Sequence, residues 1–274
     1  MTDDLVANAF EGLGVPYSSA AAMAQLLRDD VTDTLCGLYP GVAHLDGSRW
    51  LLAAASALPT TVPALAQTMI PGLDEHRAQS AALPAVLLLG LADGLGRRSG
   101  LGDAGRAAPG SKLRKAARTR APELVAGELA GQEGLCRQLA GLLHSSAVTL
   151  GASGDKAQGG WALLAAMEAC RVHPLPEPGR TSTTPGGQLA GRAFRLGRAL
   201  LYGIALELIG TDPDAWATPR RSFRSAFVVV GSLVVWFLLG FVLPRWFFYL
   251  LLPITVGGYL LFSSAAGRAR SRGD

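Results

Sequence analysis

Few residues in this chain are of the types that do chemistry. It has three cysteines and four histidines. Cys36, Gly41 and His44 recur as Cys136, Gly141 and His144 at the same spacing. The four thiol and imidazole groups would make a Cys2His2 set of the kind zinc accepts, and Cys170 with His173 adds another pair. The close cysteine pairs typical of such sites are missing, and Pro40-Gly41 interrupts the first pair. Cysteine is also among the most buried residue types and packs as a small hydrophobe. Cys36, His44, Cys136 and His144 are therefore weak metal candidates, and neither a metal nor a cofactor is expected.

Two acidic groups stand out, Asp29-Asp30 with Asp33, and Asp74-Glu75 beside His76. Helix caps and solvated faces account for both. No G-x-S-x-G, H-E-x-x-H or Walker loop is present, so the activated nucleophiles and phosphate cradles those motifs build are not signalled. Gly94-x-Gly96 and Gly100-x-Gly102 follow no strand pattern, which excludes a dinucleotide fold. No catalytic residue is assigned, and the balance is against an enzyme. A membrane-bound enzyme on a lipid or prenyl substrate would have only those five acids to use. Glu207, at the end of an otherwise apolar run, is the one oddly placed acid and is expected at the rim of the core.

The elements that carry these residues read as helices. Thirty-four Gly, sixteen Pro and a heavy Ala/Leu content fit helices broken by loops, and β-type alternation is hard to find before residue 225. A first helix carries Leu5, Val6, Phe10 and Leu13. A second carries Met23, Leu27, Val31 and Leu35 and stops at Pro40-Gly41. A third starts at Asp46 or Ser48 and is expected to close at Pro59, with a brief segment from Thr61 to Pro71-Gly72. Leu83–Leu95 is too short to span a bilayer and reads as a core helix. Residues 97–121 hold eight Lys/Arg against Asp103 alone, without apolar periodicity, and read as a flexible basic linker. After Pro122 come a helix with Val125, Leu129, Cys136, Leu139 and Leu143 on one stripe, a helix through WALLAAMEACRV, the Pro/Gly/Ser/Thr-rich loop 174–187, and a last helix from Gln188 to Gly210.

Self-comparison finds three blocks recurring in order. Leu35-Cys36 matches Leu135-Cys136. Trp50-Leu51-Leu52-Ala53-Ala54 matches Trp161 to Ala166. Leu87-Leu88-Leu89-Gly90-Leu91-Ala92 matches Leu200-Leu201-Tyr202-Gly203-Ile204-Ala205. Two tandem helical modules are expected, 1–96 and 122–212, packed as a pseudo-symmetric helical array.

Residues 225–266 are of a different kind. These forty-two residues contain one ionisable side chain, Arg245. A single pass needs about 20 apolar residues, so the length suits two passes, with Pro244-Arg245 at the turn and Trp246 and Tyr249 re-entering the interface. Arg220, Arg221 and Arg224 precede the first pass and Arg268, Arg270 and Arg272 follow the second. Cation excess marks the cytoplasmic side, so both termini are expected inside, with Trp216 near the interface. The acidic N-terminus, MTDDLVANAF, carries no secretory signal pattern.

The fold class expected is all-α: a cytoplasmic helical domain of one or two repeats, a juxtamembrane stretch at 213–224, a transmembrane hairpin at 225–266 and a basic tail at 267–274. The location expected is the inner (cytoplasmic) membrane, crossed twice. The partners expected are the bilayer, an unidentified cytoplasmic protein, anionic lipid through 97–120, and further copies of the chain through the hairpin. The small residues Gly231, Ser232, Gly240, Gly257 and Gly258 would permit that last contact. Nucleic acid is disfavoured, because no aromatic residue interleaves the basic stretch to stack on bases. The functional expectation is an adaptor that holds a cytoplasmic partner at the membrane. The alternative is an effector whose hairpins assemble and permeabilise the bilayer.

Overall fold

A computed structural model describes residues 2–12, 15–43, 45–98, 109–173, 175, 177–178 and 182–210. All of them belong to the unit Met1–Trp216. The hairpin at 225–266 lies outside the described residues, as do the interface positions Trp216, Arg220, Arg221, Arg224, Arg245, Trp246, Tyr249, Arg268 and Arg270.

Every regular element among the described residues is helical. Helix α1 spans Thr2–Gly12. Helix α2, Tyr17–Leu26, runs through a π-helical turn, Leu27–Val31, into α3, Thr32–Leu38. The buried positions of this run, Met23, Leu27, Val31 and Leu35, form the expected stripe. The Thr32 hydroxyl donates to the Leu27 carbonyl at 2.7 Å, five residues back, and so occupies an acceptor at the start of the widened turn. A 3₁₀ turn, Pro40–Ala43, leads into α4, Leu45–Met69. Helix α5, Glu75–Ala78, is capped by the Asp74 carboxylate, which accepts from Arg77 N at 2.7 Å. Helix α6, Leu83–Arg98, is apolar and mostly buried, a core helix.

Helix α4 corrects one expectation. Pro59 and Pro63 both lie inside it, and the chain continues as one helix of 25 residues. An interior proline costs a helix about 3 kcal/mol. Leu58, Val62 and Ala66 around these two are buried, as is Pro63 itself. Burying a large aliphatic side chain stabilises by roughly 1.5–3 kcal/mol, so packing on this face offsets the proline penalty.

The basic segment corrects another. Arg97 and Arg98 complete α6, and residues 111–128 are helical throughout. They form α7, Ser111–Lys115, a π-helical turn, Ala116–Arg120, and α8, Ala121–Glu128. Leu113, Ala116, Ala117 and Ala121 are buried beneath it. Alanines beside arginines do not register as an apolar stripe in a hydropathy pattern, yet they suffice where another helix approaches closely.

Helix α9, Glu133–Thr149, and helix α10, Lys156–Val172, follow. Asp155 caps α10 by accepting from Gln158 N at 3.3 Å. Helix α11, Pro185–Ile209, has Pro at its first turn, Thr184 accepting from Gly187 N at 3.2 Å, and Gly210 at its end with φ of 69°. The positive φ there suits only a residue without Cβ.

One apolar core joins all these helices. Helix α4 packs along α6 and α10 along α11, while α9 lies against α4 and α3 against α10. The two halves of the unit therefore cross-pack. Gly159 of α10 lies beneath the indole of Trp50 in α4, so close that a Cβ would stand 2.3 Å from a ring carbon. Polar ties join the same elements. The Asp46 carboxylate accepts from Ser153 N and Oγ, both at 2.6 Å, and Arg49 donates to the Gly151 carbonyl. The matched glycines of the third sequence block act alike: Gly90 lies against Leu27 and Gly203 against the Cys136 sulfur. The first block does not correspond locally. Residues 135–144 lie within α9, whereas 35–43 pass from α3 into the 3₁₀ turn.

Candidate functional site

The candidate metal residues fall in separate surroundings. Cys136 and His144 sit eight residues apart on α9, about 12 Å along its axis, so they cannot share one ion. Cys136 is buried against Gly203, and burial pushes its thiol up to about 11, with the Glu207 carboxylate adding in the same direction. The ring of His144 rests at 6.0 Å from that of Trp50, and its Nε2 lies 3.2 Å from the Gly154 carbonyl. Cys36 is half-buried, and desolvation raises its thiol, opposed by nearby Arg98. His44 is outside the described residues. Cys170 is buried and pushed up to about 12, while His173 Nε2 pairs with the Thr34 hydroxyl at 2.8 Å. Among the described residues no group of three His, Cys, Asp or Glu side chains converges as a metal site would require.

The acids are likewise dispersed. Asp29, Asp30 and Asp33 are exposed on the π turn and α3, with Asp33 paired to Arg98. Asp74 is occupied as a cap. Glu207 is partly exposed, 3.8 Å from Arg137, at the rim as its position suggested.

The acid the sequence reading passed over is Glu168, whose side chain is only 6% exposed. Tyr202 of α11 donates to its Oε1 at 2.8 Å, Arg171 Nε donates to Oε2 at 3.2 Å, and Arg120 of the second π turn donates to the same oxygen. Desolvation and the neighbouring carboxylate push the Tyr202 phenol far above its ordinary range. Both carboxylate oxygens are engaged, so the cluster ties the second π-helical turn, α10 and α11 together rather than presenting a base to solvent. The signal was a lone acid in an apolar helical run with Arg three residues on. Beside it a cavity of about 60 Å³ is lined by Leu87, Met167, Cys170, His173 and Phe194, with the Arg198–Glu177 pair, 3.3 Å apart, at its edge.

A more open concavity lies elsewhere among the described residues. A groove of about 590 Å³ runs between α4 and α6, walled by Leu45, Leu52, Leu89, Ala92 and Leu150, with Arg49 and Arg97 on its rim. Leu45, Leu52 and Leu150 are 47%, 36% and 41% exposed, and Val148 nearby on α9 is 48% exposed. Large apolar side chains gathered in one groove mark a binding surface more often than scattered ones do. Asp93 on the groove wall is held by Arg97 at 3.3 Å, with Arg28 at 3.9 Å.

Among the described residues, fold and groove together define an all-α unit with an exposed apolar groove and no converging metal-ligand cluster. Comparison with protein-family models, curated protein sequences and solved structures finds no match for this chain. Among the described residues no single helix is long and apolar enough to cross a membrane. The bent pair Glu75–Ala81 and Leu83–Arg98 passes by length and composition only, and its second member is buried in the core.

Proposed function

We propose that this protein is a membrane-anchored helical adaptor. Its hairpin, 225–266, sits in the inner membrane with both termini cytoplasmic, and its helical unit holds a cytoplasmic partner there. The observation that carries this reading is the α4–α6 groove. Its exposed leucines would receive the apolar face of an amphipathic helix, and Arg49 and Arg97 beside them suit a partner helix with acidic flanks. The matched glycines and the reciprocal packing of α3 on α10 and α9 on α4 support an origin by duplication, with the two tandem repeats now sharing one core. The second reading is a membrane-permeabilising effector. It is favoured by the small residues at 231, 232, 240, 257 and 258, which allow close approach between spans.

Inducible expression of the full chain beside a chain ending at Ala217 separates the two. An adaptor leaves the membrane potential intact in both cases. Depolarisation by the full chain alone would replace it with the effector reading. A photo-cross-linking residue at Leu52 should give one defined adduct in membranes, abolished by Leu45→Asp. Loss of the groove without loss of the adduct would refute the groove as the docking surface.

A further inference from the structure

The helical run 111–123 has two sharply different sides. Leu113, Arg114, Ala116, Ala117 and Ala121 face inward, and Lys112, Lys115, Arg118 and Thr119 face solvent at helical spacing. Of the cations on this run, Arg114 is buried and Arg120 is drawn onto Glu168. Lys112, Lys115 and Arg118 lie on the exposed outward stripe, with no acid on the helix before Glu123. Lys112 and Lys115 have no ion pair with any described residue. The inward face packs the run against α10, and a Cβ added at Gly110, just before it, would stand 3.3 Å from the Leu38 carbonyl oxygen. The cations are thus displayed by a packed helix, not by a linker.

We infer that this stripe is a contact surface for anionic phospholipid, which sets the face the helical unit turns toward the bilayer. The inference rests on the membrane-anchored reading above. A rigid, one-signed face carries a fixed charge to the headgroups, and each cation near an anionic leaflet favours the contact about fivefold. Nucleic acid is the poorer fit, since 109–123 has no aromatic residue on which a base could stack.

The chain contains three lysines, Lys112, Lys115 and Lys156, so amine labelling reads this face against an internal control. Lys156 is exposed at the start of α10, twelve residues before Glu168 and about 18 Å along the axis from the carboxylate that holds Arg120. The full chain is reconstituted in vesicles of phosphatidylcholine, or of equal parts phosphatidylcholine and phosphatidylglycerol. Labelling of each lysine is then followed by peptide mass analysis. Lys112 and Lys115 should label about fivefold more slowly, relative to Lys156, in the anionic vesicles, and raised salt should restore them. Lys112→Glu with Arg118→Glu should remove the protection of Lys115. Equal labelling in the two lipids, or a parallel fall at all three lysines, would overturn the inference. Carbonate extraction from the neutral vesicles tests the anchor separately. If the chain is extracted there but lysine protection persists in anionic vesicles, the hairpin reading fails and the lipid-facing stripe stands.

Discussion

Gly159 decides whether α4 and α10 can meet, and replacing it with alanine measures how rigid that contact is. An alanine Cβ would stand 2.3 to 2.5 Å from three carbons of the Trp50 indole. Carbon atoms rest at about 3.5–4.0 Å, so ring and helix must separate by roughly 1 Å. Trp50 is 1% exposed and has no room to yield. Overpacking of this kind costs about 1–3 kcal/mol, against a helix-propensity gain of about 1 kcal/mol for Gly→Ala. With a stiff aromatic on one side, Gly159→Ala should destabilise by about 2 kcal/mol, lowering the melting temperature by roughly 4–8 °C for a unit of this size. Gly141 on α9 has nothing within 4 Å of its Cβ position. Gly141→Ala should therefore raise the melting temperature by about 2–4 °C. Thermal unfolding of the full chain in mild detergent, followed by far-UV circular dichroism, gives both numbers. In a Trp50→Leu background the indole is gone, and Gly159→Ala should become neutral or stabilising. If Gly159→Ala stabilises the unaltered chain as Gly141→Ala does, the two halves do not meet through this contact and the cross-packed core is wrong.

Tyr202→Phe removes the donor to a buried carboxylate and should cost about 2 kcal/mol in urea denaturation; an unchanged midpoint would show that Glu168 does not tie α10 to α11. Burial raises the Cys136 and Cys170 thiols from 9.0 to about 11 and about 12. Their contribution to stability is therefore complete below pH 9 and is lost as pH rises through the folded values. The denaturation midpoint should fall from pH 9 upward, and a flat profile between pH 9 and 11 would contradict the burial of these thiols. At pH 8 a thiol reagent should modify half-buried Cys36 first, and Cys136 and Cys170 only on unfolding. For the hairpin, a cysteine replacing Arg245 should react with an impermeant reagent from outside the cell and one replacing Arg270 should not; the reverse pattern would invert the proposed topology.

Much of the helical class was legible in the residues. Met23, Leu27, Val31 and Leu35 form a stripe whose period identifies a helix without any partner being known. Asp74 and Asp155 cap the helices that follow them because their side chains satisfy amide groups within the same turn. Glu207 lies at the rim because an acid among apolar neighbours must keep access to water or a cation. The stripe and the caps are short-range matters between residues close in sequence, and the expectation for Glu207 came from its apolar neighbours along the helix. What the tertiary structure decided depended on residues far apart. Pro59 and Pro63 remain inside α4 because a buried face outweighs a local penalty. Residues 111–120 are helical because alanines beside charges become a packing face once α10 is present. Glu168 binds Arg120 and Tyr202 from two other helices, and no spacing along the chain announces that meeting. The α4–α6 groove is formed by leucines that separate elements bring together, and no described helix covers it. Sequence by itself determined the periodic, capped helices; the free energy of burial between distant helices decided where they bend, what they enclose and which surfaces they leave open.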